Sequence, residues 1–371
     1  MRRIGVVAVG VALALGLAAS PAGATGGAGG WQSPRCSVVE GDGSVSFTSD
    51  EGATITPTSM PQQRLQYLYG VVPAGRNTLL AVDHRGTVQT STDAGCSWAP
   101  TASVSGLDVP RLTAAADGSA YVWDQNGLAL HRVRGKTVTA LPPVATGTST
   151  GVAALAVDRY VPRHVRVVLG DGTVRDSYDS GATFRTTGRA PAADLFVYSA
   201  AIDQTNLNHI VVGTMSQGVY TTWLGGWVWS HATLGQPGDR INAFSVAVSP
   251  ANPFVVWAQG INQTENDAHV PSEGRHVYRS TDGGHTFRVA VDHKPGEVTL
   301  VNGALLAPHP TNPALLYFVF GTSYANYGTD LFRYDARRDA LSVRHNDHHG
   351  IKSIAFNPRD PSVMYLGFAA E

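Results

Sequence analysis

Polar and apolar positions fall into short β-rich runs separated by turns of Gly, Pro, Asn and Asp. One stretch shows the unit. Ile241 to Val248 is a first run, and Ser249-Pro250-Ala251-Asn252-Pro253 is a turn. Phe254 to Gln259, His276 to Arg279 and Thr286 to Val291 are three more runs. Ala307 to Pro313 and Phe356 to Pro361 repeat the first turn. Such punctuation is what all-β repeats require. Four antiparallel strands in units of roughly 40–60 residues predict propeller blades.

An internal repeat sits at a fixed place in the unit. Ser91 to Trp98, Ser177 to Phe184 and Ser280 to Phe287 each fit S-x-D-x-G-x-[ST]-aromatic. Thr48 to Ile55 is a worn fourth copy. Asp50 and Asp93 lie 43 residues apart, and Asp93 and Asp179 lie 86 apart. The spacing exposes eroded copies at His131 to Val138, at Thr221 to Gly225 and at Asp335. The expected aspartate slots are therefore 50, 93, 133, 179, 223, 282 and 335, one per blade. The fold expected is all-β: a seven-bladed β-propeller of four-stranded antiparallel blades. Gly350 to Gly367 supplies strands without a repeat, and Ser44 to Pro57 a repeat with too few strands. Together they close the ring in one blade and leave no open sheet edge. Either Val363 to Phe368 or Cys36 to Glu40 could serve that blade, and the pattern alone leaves both open.

The first residues lie outside this pattern. Met1-Arg2-Arg3, an apolar run from Ile4 to Ala19, Pro21 and Ala22-Gly23-Ala24 form a secretory signal peptide, residues 1–24. Arg2-Arg3 leaves general and twin-arginine export both open. Residues 25–35 are expected to be a flexible leader, and 36–371 a single propeller. The exported chain then has about 347 residues, room for one large β domain. An oxidising exterior makes a Cys36–Cys96 disulfide the default expectation.

Charge narrows the partners. Charged residues are 15% of the chain, with net charge −1, and the lysines are Lys136, Lys294 and Lys352. No basic stripe forms, so nucleic acid is not expected. No later segment is long enough to span a membrane.

In each octad the aspartate can accept bonds from turn amides and a hydroxyl. The glycine permits positive φ, and the aromatic can pack between sheets. On these residues the chain resembles the Asp-box, or sialidase-type neuraminidase-repeat, propellers. Asp50, Asp93, Gly95, Trp98, Asp179, Gly181, Phe184, Asp282, Gly284 and Phe287 are then structural. The resemblance implies a fold and leaves activity open. A sialidase-like site needs three arginines, a tyrosine with a glutamate, and an aspartate. No Arg-Ile-Pro motif precedes the first repeat. Glutamates past the signal peptide are Glu40, Glu51, Glu265, Glu273, Glu297 and Glu371. Nothing nominates a carboxylate pair, a nucleophile elbow or a His-Glu-x-x-His site. No catalytic residue, cofactor or metal is assigned.

A secreted, monomeric propeller that binds another extracellular protein is the first expectation. A glycoside hydrolase or carbohydrate-binding propeller is the alternative. Second-to-third loops and blade-to-blade loops emerge on one face. Most are minimal there, but 261–275 and 322–328 are long, and 345–349 joins the next blade beside them. Binding tends to live on loops held by a rigid scaffold. Glu265, Asp267, His269, Tyr324, Tyr327, His345, His348 and His349 are the candidate contacts, the tyrosines suiting a protein interface. The histidines with Asp347 are ordinary metal ligands, but such loops more often bind nothing. Trp223, Trp227 and Trp229 could stack on sugar, and inter-blade packing is the favoured reading. A narrower resemblance, in length, export and architecture, is to secreted single-propeller partners of neutral metalloproteases. It implies a non-enzymatic role and glutamine donation to a transglutaminase, with Gln32, Gln62 and Gln63 as candidates.

Overall fold

The structure, a computed structural model, describes residues 30–127, 129–144, 151–322, 328–347 and 350–370. Its strands form seven sheets. Blade 1 holds Leu68–Gly75, Thr78–Asp83, Thr87–Ser91 and Ala99–Ser103, blade 2 Pro110–Ala114, Ala120–Asp124, Leu130–Arg134 and Thr137–Leu141. Blade 3 holds Val152–Val157, Val165–Leu169, Val174–Ser177 and Arg185–Gly188, blade 4 Val197–Ile202, Ile210–Thr214, Val219–Thr222 and Ser230–His231. Blade 5 holds Ile241–Val248, Val256–Asn262, Arg275–Ser280 and Arg288–Asp292. Blade 6 holds Leu306–Pro308, Leu315–Thr322, Gly328–Asp335 and Ala340–Asn346. Each of these six is a four-stranded antiparallel meander. Blade 7 joins Gly350–Phe356 and Met364–Ala369 from the C-terminus to Val45–Thr48 from the N-terminus.

The second strand shows why the sequence folds this way. Ile210 to Thr214 and Val165 to Leu169 are buried at every position. A strand covered on both faces is mostly apolar without alternation, the exception here being Arg166, buried with its guanidinium on the Asp176 carboxylate at 2.7 Å. Alternate residues then serve opposite neighbours. Val211 packs with Ile241 and Val256 of blade 5, and Val212 with Val168 and Val174 of blade 3. Seven apolar clusters lie one at each seam between blades. Full burial of one such Val or Ile is worth about 1.5–3 kcal/mol. Fourth strands are mostly exposed and form the outer rim.

The closing blade settles the open alternative. Met364–Ala369 is its second strand, pairing Met364 with Thr48 and Gly367 with Val45. Residues 39 and 40 instead lace the rim: Val39 bridges Thr58 and Glu40 bridges Ser97, both in parallel. Cys36 and Cys96 form a disulfide with Cα atoms 5.7 Å apart. Its 60-residue separation corresponds to about 4 kcal/mol of loop-closure stabilisation. Part of the stretch expected as leader is docked. Trp31 is 2% exposed, and Asn357 Nδ2 donates to the Gln32 carbonyl at 2.8 Å.

The four octads share one hydrogen-bond pattern. The Ser or Thr hydroxyl donates to the aspartate at 2.7–2.8 Å and accepts the glycine amide at 2.8–3.0 Å. The second Ser or Thr donates amide and hydroxyl to the same carboxylate at 2.6–2.9 Å. These bonds hold the Asp179 and Asp282 carboxyls down at about 2 despite partial burial of Asp282.

Strand register corrects three expected slots. Ser177 pairs with Val165 and Ser280 with Val256, each at the start of a second strand. The equivalent pairs are Val133 with Ala120, Thr222 with Ile210 and Asp335 with Leu315. Val133, Thr222 and Asp335 thus hold the hydroxyl slot. The aspartate slots fall on Gly135, Leu224 and Arg337 rather than 133, 223 and 335.

Candidate functional site

The long loop of blade 5 begins where its second strand ends. Asn262 caps a short helix, Gln263–Asp267, accepting from the Thr264 and Glu265 amides at 3.1 and 3.4 Å. Asn-x-x-Glu is a capping-box spacing. Here the glutamate side chain turns elsewhere. Glu265 Oε1 accepts from Asn262 Nδ2 at 2.9 Å, and Glu265 Oε2 lies 2.8 Å from His276 Nε2. His276 Nδ1 lies 2.7 Å from Asp292 Oδ1. Asn262 Nδ2 also donates to Asp239 Oδ2 at 2.7 Å.

His276 is buried, with one ring nitrogen on each of two carboxylates. Filling both bonds requires protons on both nitrogens or on one carboxyl group. The ring therefore ties loop, third strand and fourth strand into one body. Beneath it, burial and then the charges of Glu265, Asp239 and Asp292 push the Tyr278 phenol far above its ordinary range. Asp239, Asn262, His276 and Asp292 were not among the sequence candidates. The one sequence signal that could have found them is the cap spacing of Asn262 and Glu265.

Of the candidate contacts, Glu265 is absorbed into this network. Asp267 and His269 are exposed at the loop tip. Asp267 pairs with Arg240 at 2.6 Å, with both side chains more than half exposed. Such a pair adds at most about 1 kcal/mol and leaves the carboxylate available. His269 Nδ1 lies 2.9 Å from the Asp267 carbonyl. His345, in blade 6, is 2.7 Å from Asp330 and 3.8 Å from Asp347. Tyr324, Tyr327, His348 and His349 lie outside the described residues. Among the described residues no three His, Cys, Asp or Glu side chains are grouped to hold a metal ion.

The tryptophans divide. Trp229 donates its indole N–H to the Arg189 carbonyl at 2.8 Å. Trp223 stacks on His209 at 3.8 Å and on Phe254 at 5.2 Å. Trp227 is 71% exposed, so the packing expectation fails for that ring. It holds the place that Ala182 and His285 take in intact octads, and those residues are exposed too. Gln32 and Gln63 are exposed, whereas Gln62 is half-buried and donates to the Gln66 carbonyl at 3.0 Å.

A tyrosine, glutamate and arginine do meet, at the seam of blades 6 and 7. Tyr317 Oη and Arg333 Nε both donate to Glu51 Oε1, at 2.9 and 3.0 Å. Burial and the Glu51 charge push the Tyr317 phenol upward, away from a nucleophilic phenolate. The trio clasps two blades.

No protein-family model matches the chain. A dispase autolysis-inducing protein of Streptomyces mobaraensis is 43% identical over 373 residues, covering 99% of this chain and 98% of that protein. Among solved structures, YCF48 from Cyanidioschyzon merolae aligns with a TM-score of 0.58 at 12% identity, over 83% of this chain and 97% of that one. YCF48 bound to D1 peptide aligns at 0.55 and 11% identity, over 82% and 94%. An ancestral GH74 enzyme aligns at 0.52 and 17% identity, over 81% of this chain but 40% of the enzyme. At these identities the structural matches speak for the fold alone.

Proposed function

The chain belongs to the family of the dispase autolysis-inducing protein, and from that membership we propose that it is a secreted, non-catalytic propeller built on Asp-box repeats that binds an extracellular metalloprotease. The observation that carries this reading is the near-complete match in length to that relative. The blade 5 loop supports it physically. Its tip offers Asp267 and His269 to solvent on a base held by partly buried hydrogen bonds. A loop ordered before contact loses less entropy on binding than a mobile one. The disulfide suits an oxidising compartment. Among the described residues no helix is long and apolar enough to cross a membrane.

The test is direct. Purified protein is mixed with dispase, and co-elution and the rate of dispase self-cleavage are followed. Co-elution with faster self-cleavage is expected. The variant Asp267→Ala/His269→Ala should weaken co-elution by about tenfold, a typical loss for interface contacts. Unchanged self-cleavage without co-elution overturns the reading. In the same reading Gln32 and Gln63 are the accessible transglutaminase donors, and mass spectrometry after labelling with an amine donor would locate them.

A further inference from the structure

Neighbouring first strands contact one another from blade 7 through blade 1 and on to blade 6, and five of them break register at a matching point. The breaks lie between Leu68 and Gly70, Val152 and Ala154, Val197 and Ser199, Ala243 and Ser245, and Ile351 and Ser353. A bulge frees one residue from pairing and re-aims its side chain. Here the residues before the breaks, Leu68, Val152, Val197, Ala243 and Ile351, pack into the blade seams, while the bulged ones, among them Tyr69, Tyr198, Phe244 and Lys352, keep solvent exposure.

These side chains group by chemistry. Tyr198 lies between Phe196 and Phe244, ring centroids 5.2 and 4.8 Å away. Phe196 is 51% exposed, so this arc is apolar and open. On the other side Tyr69 is flanked by blades 7 and 2. Lys352 projects from blade 7, and the Arg111 guanidinium of blade 2 lies 5.6 Å from the Tyr69 ring centre. Arg111 Nη2 donates to Gln125 Oε1 at 2.7 Å. Among the described residues Arg111 and Lys352 form no ion pair. A guanidinium has five donors in a fork shaped for a carboxylate. Gln125 lies in the second-to-third turn of blade 2, so these side chains sit at the end of the first strands on the face of the long loops.

We propose that this end of the ring of first strands receives a peptide segment carrying a carboxylate and, across the ring from it, an apolar side chain. Arg111 and Lys352 meet the carboxylate, and Phe196, Tyr198 and Phe244 meet the apolar group. The site is separate from the blade 5 loop, and it stands whether or not that loop docks a protease.

Calorimetric titration with N-acetylated octapeptides tests it on the full exported chain. Three are needed: alternating leucine and glutamate with a free C-terminus, the same peptide amidated, and an amidated leucine–glutamine counterpart. Both glutamate peptides should bind if side-chain carboxylates are read, and only the free one if the terminal carboxylate is read. Arg111→Gln should weaken binding by about tenfold and Tyr198→Ala/Phe244→Ala by a similar factor, as for loss of a charge-assisted bond or an aromatic anchor. Lys352→Gln, at an exposed position that cannot disturb the core, should weaken it by about threefold. Equal binding of the glutamine peptide, unchanged affinity in both Arg111→Gln and Lys352→Gln, or no binding of any peptide at millimolar concentration overturns the proposal.

Discussion

Blades 4 and 5 are neighbours that fasten the same turn by different means. In blade 5 Ser280, Asp282 and Thr286 close a polar knot at 2.6–2.9 Å. In blade 4 the aspartate has become Leu224 and the second hydroxyl residue Val228, both more than half exposed. Only Thr222 still accepts, from the Leu224 and Gly226 amides at 3.1 and 3.3 Å. The backbone nevertheless keeps its shape. Gly225 and Gly226 have φ of 63° and 90°, against 77° and 90° at Gly283 and Gly284. What replaces the knot is aromatic. Trp223 is sandwiched between His209 and Phe254, and a Cβ on Gly283 would sit 2.6 Å from the Trp223 ring. The eroded turn of one blade leans on the intact turn of the next. A polar knot and a stacked aromatic are interchangeable ways to hold a left-handed turn.

Removing each fastener should break the equivalence unequally. Trp223→Ala opens the sandwich and uncovers Gly283. Because the ring is half-buried, a loss of about 3 kcal/mol is expected in a denaturant titration, the low end for truncating a large aromatic. Asp282→Ala deletes the acceptor of four side-chain and amide bonds, and about 2 kcal/mol should go. If Asp282→Ala proves the more costly, the aromatic is decoration rather than a substitute. The reverse experiment rebuilds the knot in blade 4. Leu224→Asp/Val228→Thr should raise stability by about 1 kcal/mol and expose less apolar surface. The double variant should exceed the sum of its singles, since aspartate and threonine bond each other.

Much of this contrast was legible in the sequence, because both the intact octads and the spacing of their remnants survive. The remnants were aligned by residue type, and only pairing with the second strand places Leu224 rather than Trp223 in the aspartate slot. A sequence lists residues along one strand, whereas register is set by what lies across from them. For the same reason Glu265 could be named as a loop residue but not as the partner of His276. Those groups meet through backbone pairing over 11 positions, which no local pattern announces. The bulged residues of the first strands were equally silent, since a bulge is a mismatch between two strands.

Acid should separate the two fasteners with the smallest and most specific effect. His209 hydrogen-bonds the Gly283 carbonyl at 3.1 Å, so Nε2 carries the proton, and buried Nδ1 has no hydrogen-bond partner. Burial lowers its pKa below 6.5, so the folded seam holds the ring neutral. The unfolded chain takes up a proton near pH 6.5, and the folded ring only at lower pH. Stability contributed by the neutral ring is therefore full above 6.5 and declines as pH falls through that window. The Asp282 carboxyl is held at about 2 against an ordinary 3.8. Its contribution is full above about pH 4 and is lost only as pH falls towards 2. Amide exchange followed from pH 7 to pH 3 should thus show protection at Thr221 to Trp223 falling first, after correction for intrinsic rates. Protection at the Thr286 amide should hold until near pH 4. His209→Gln should abolish the first step and leave the second. Simultaneous loss at both turns would mean that the seam opens as one unit and that the two fasteners are not independent.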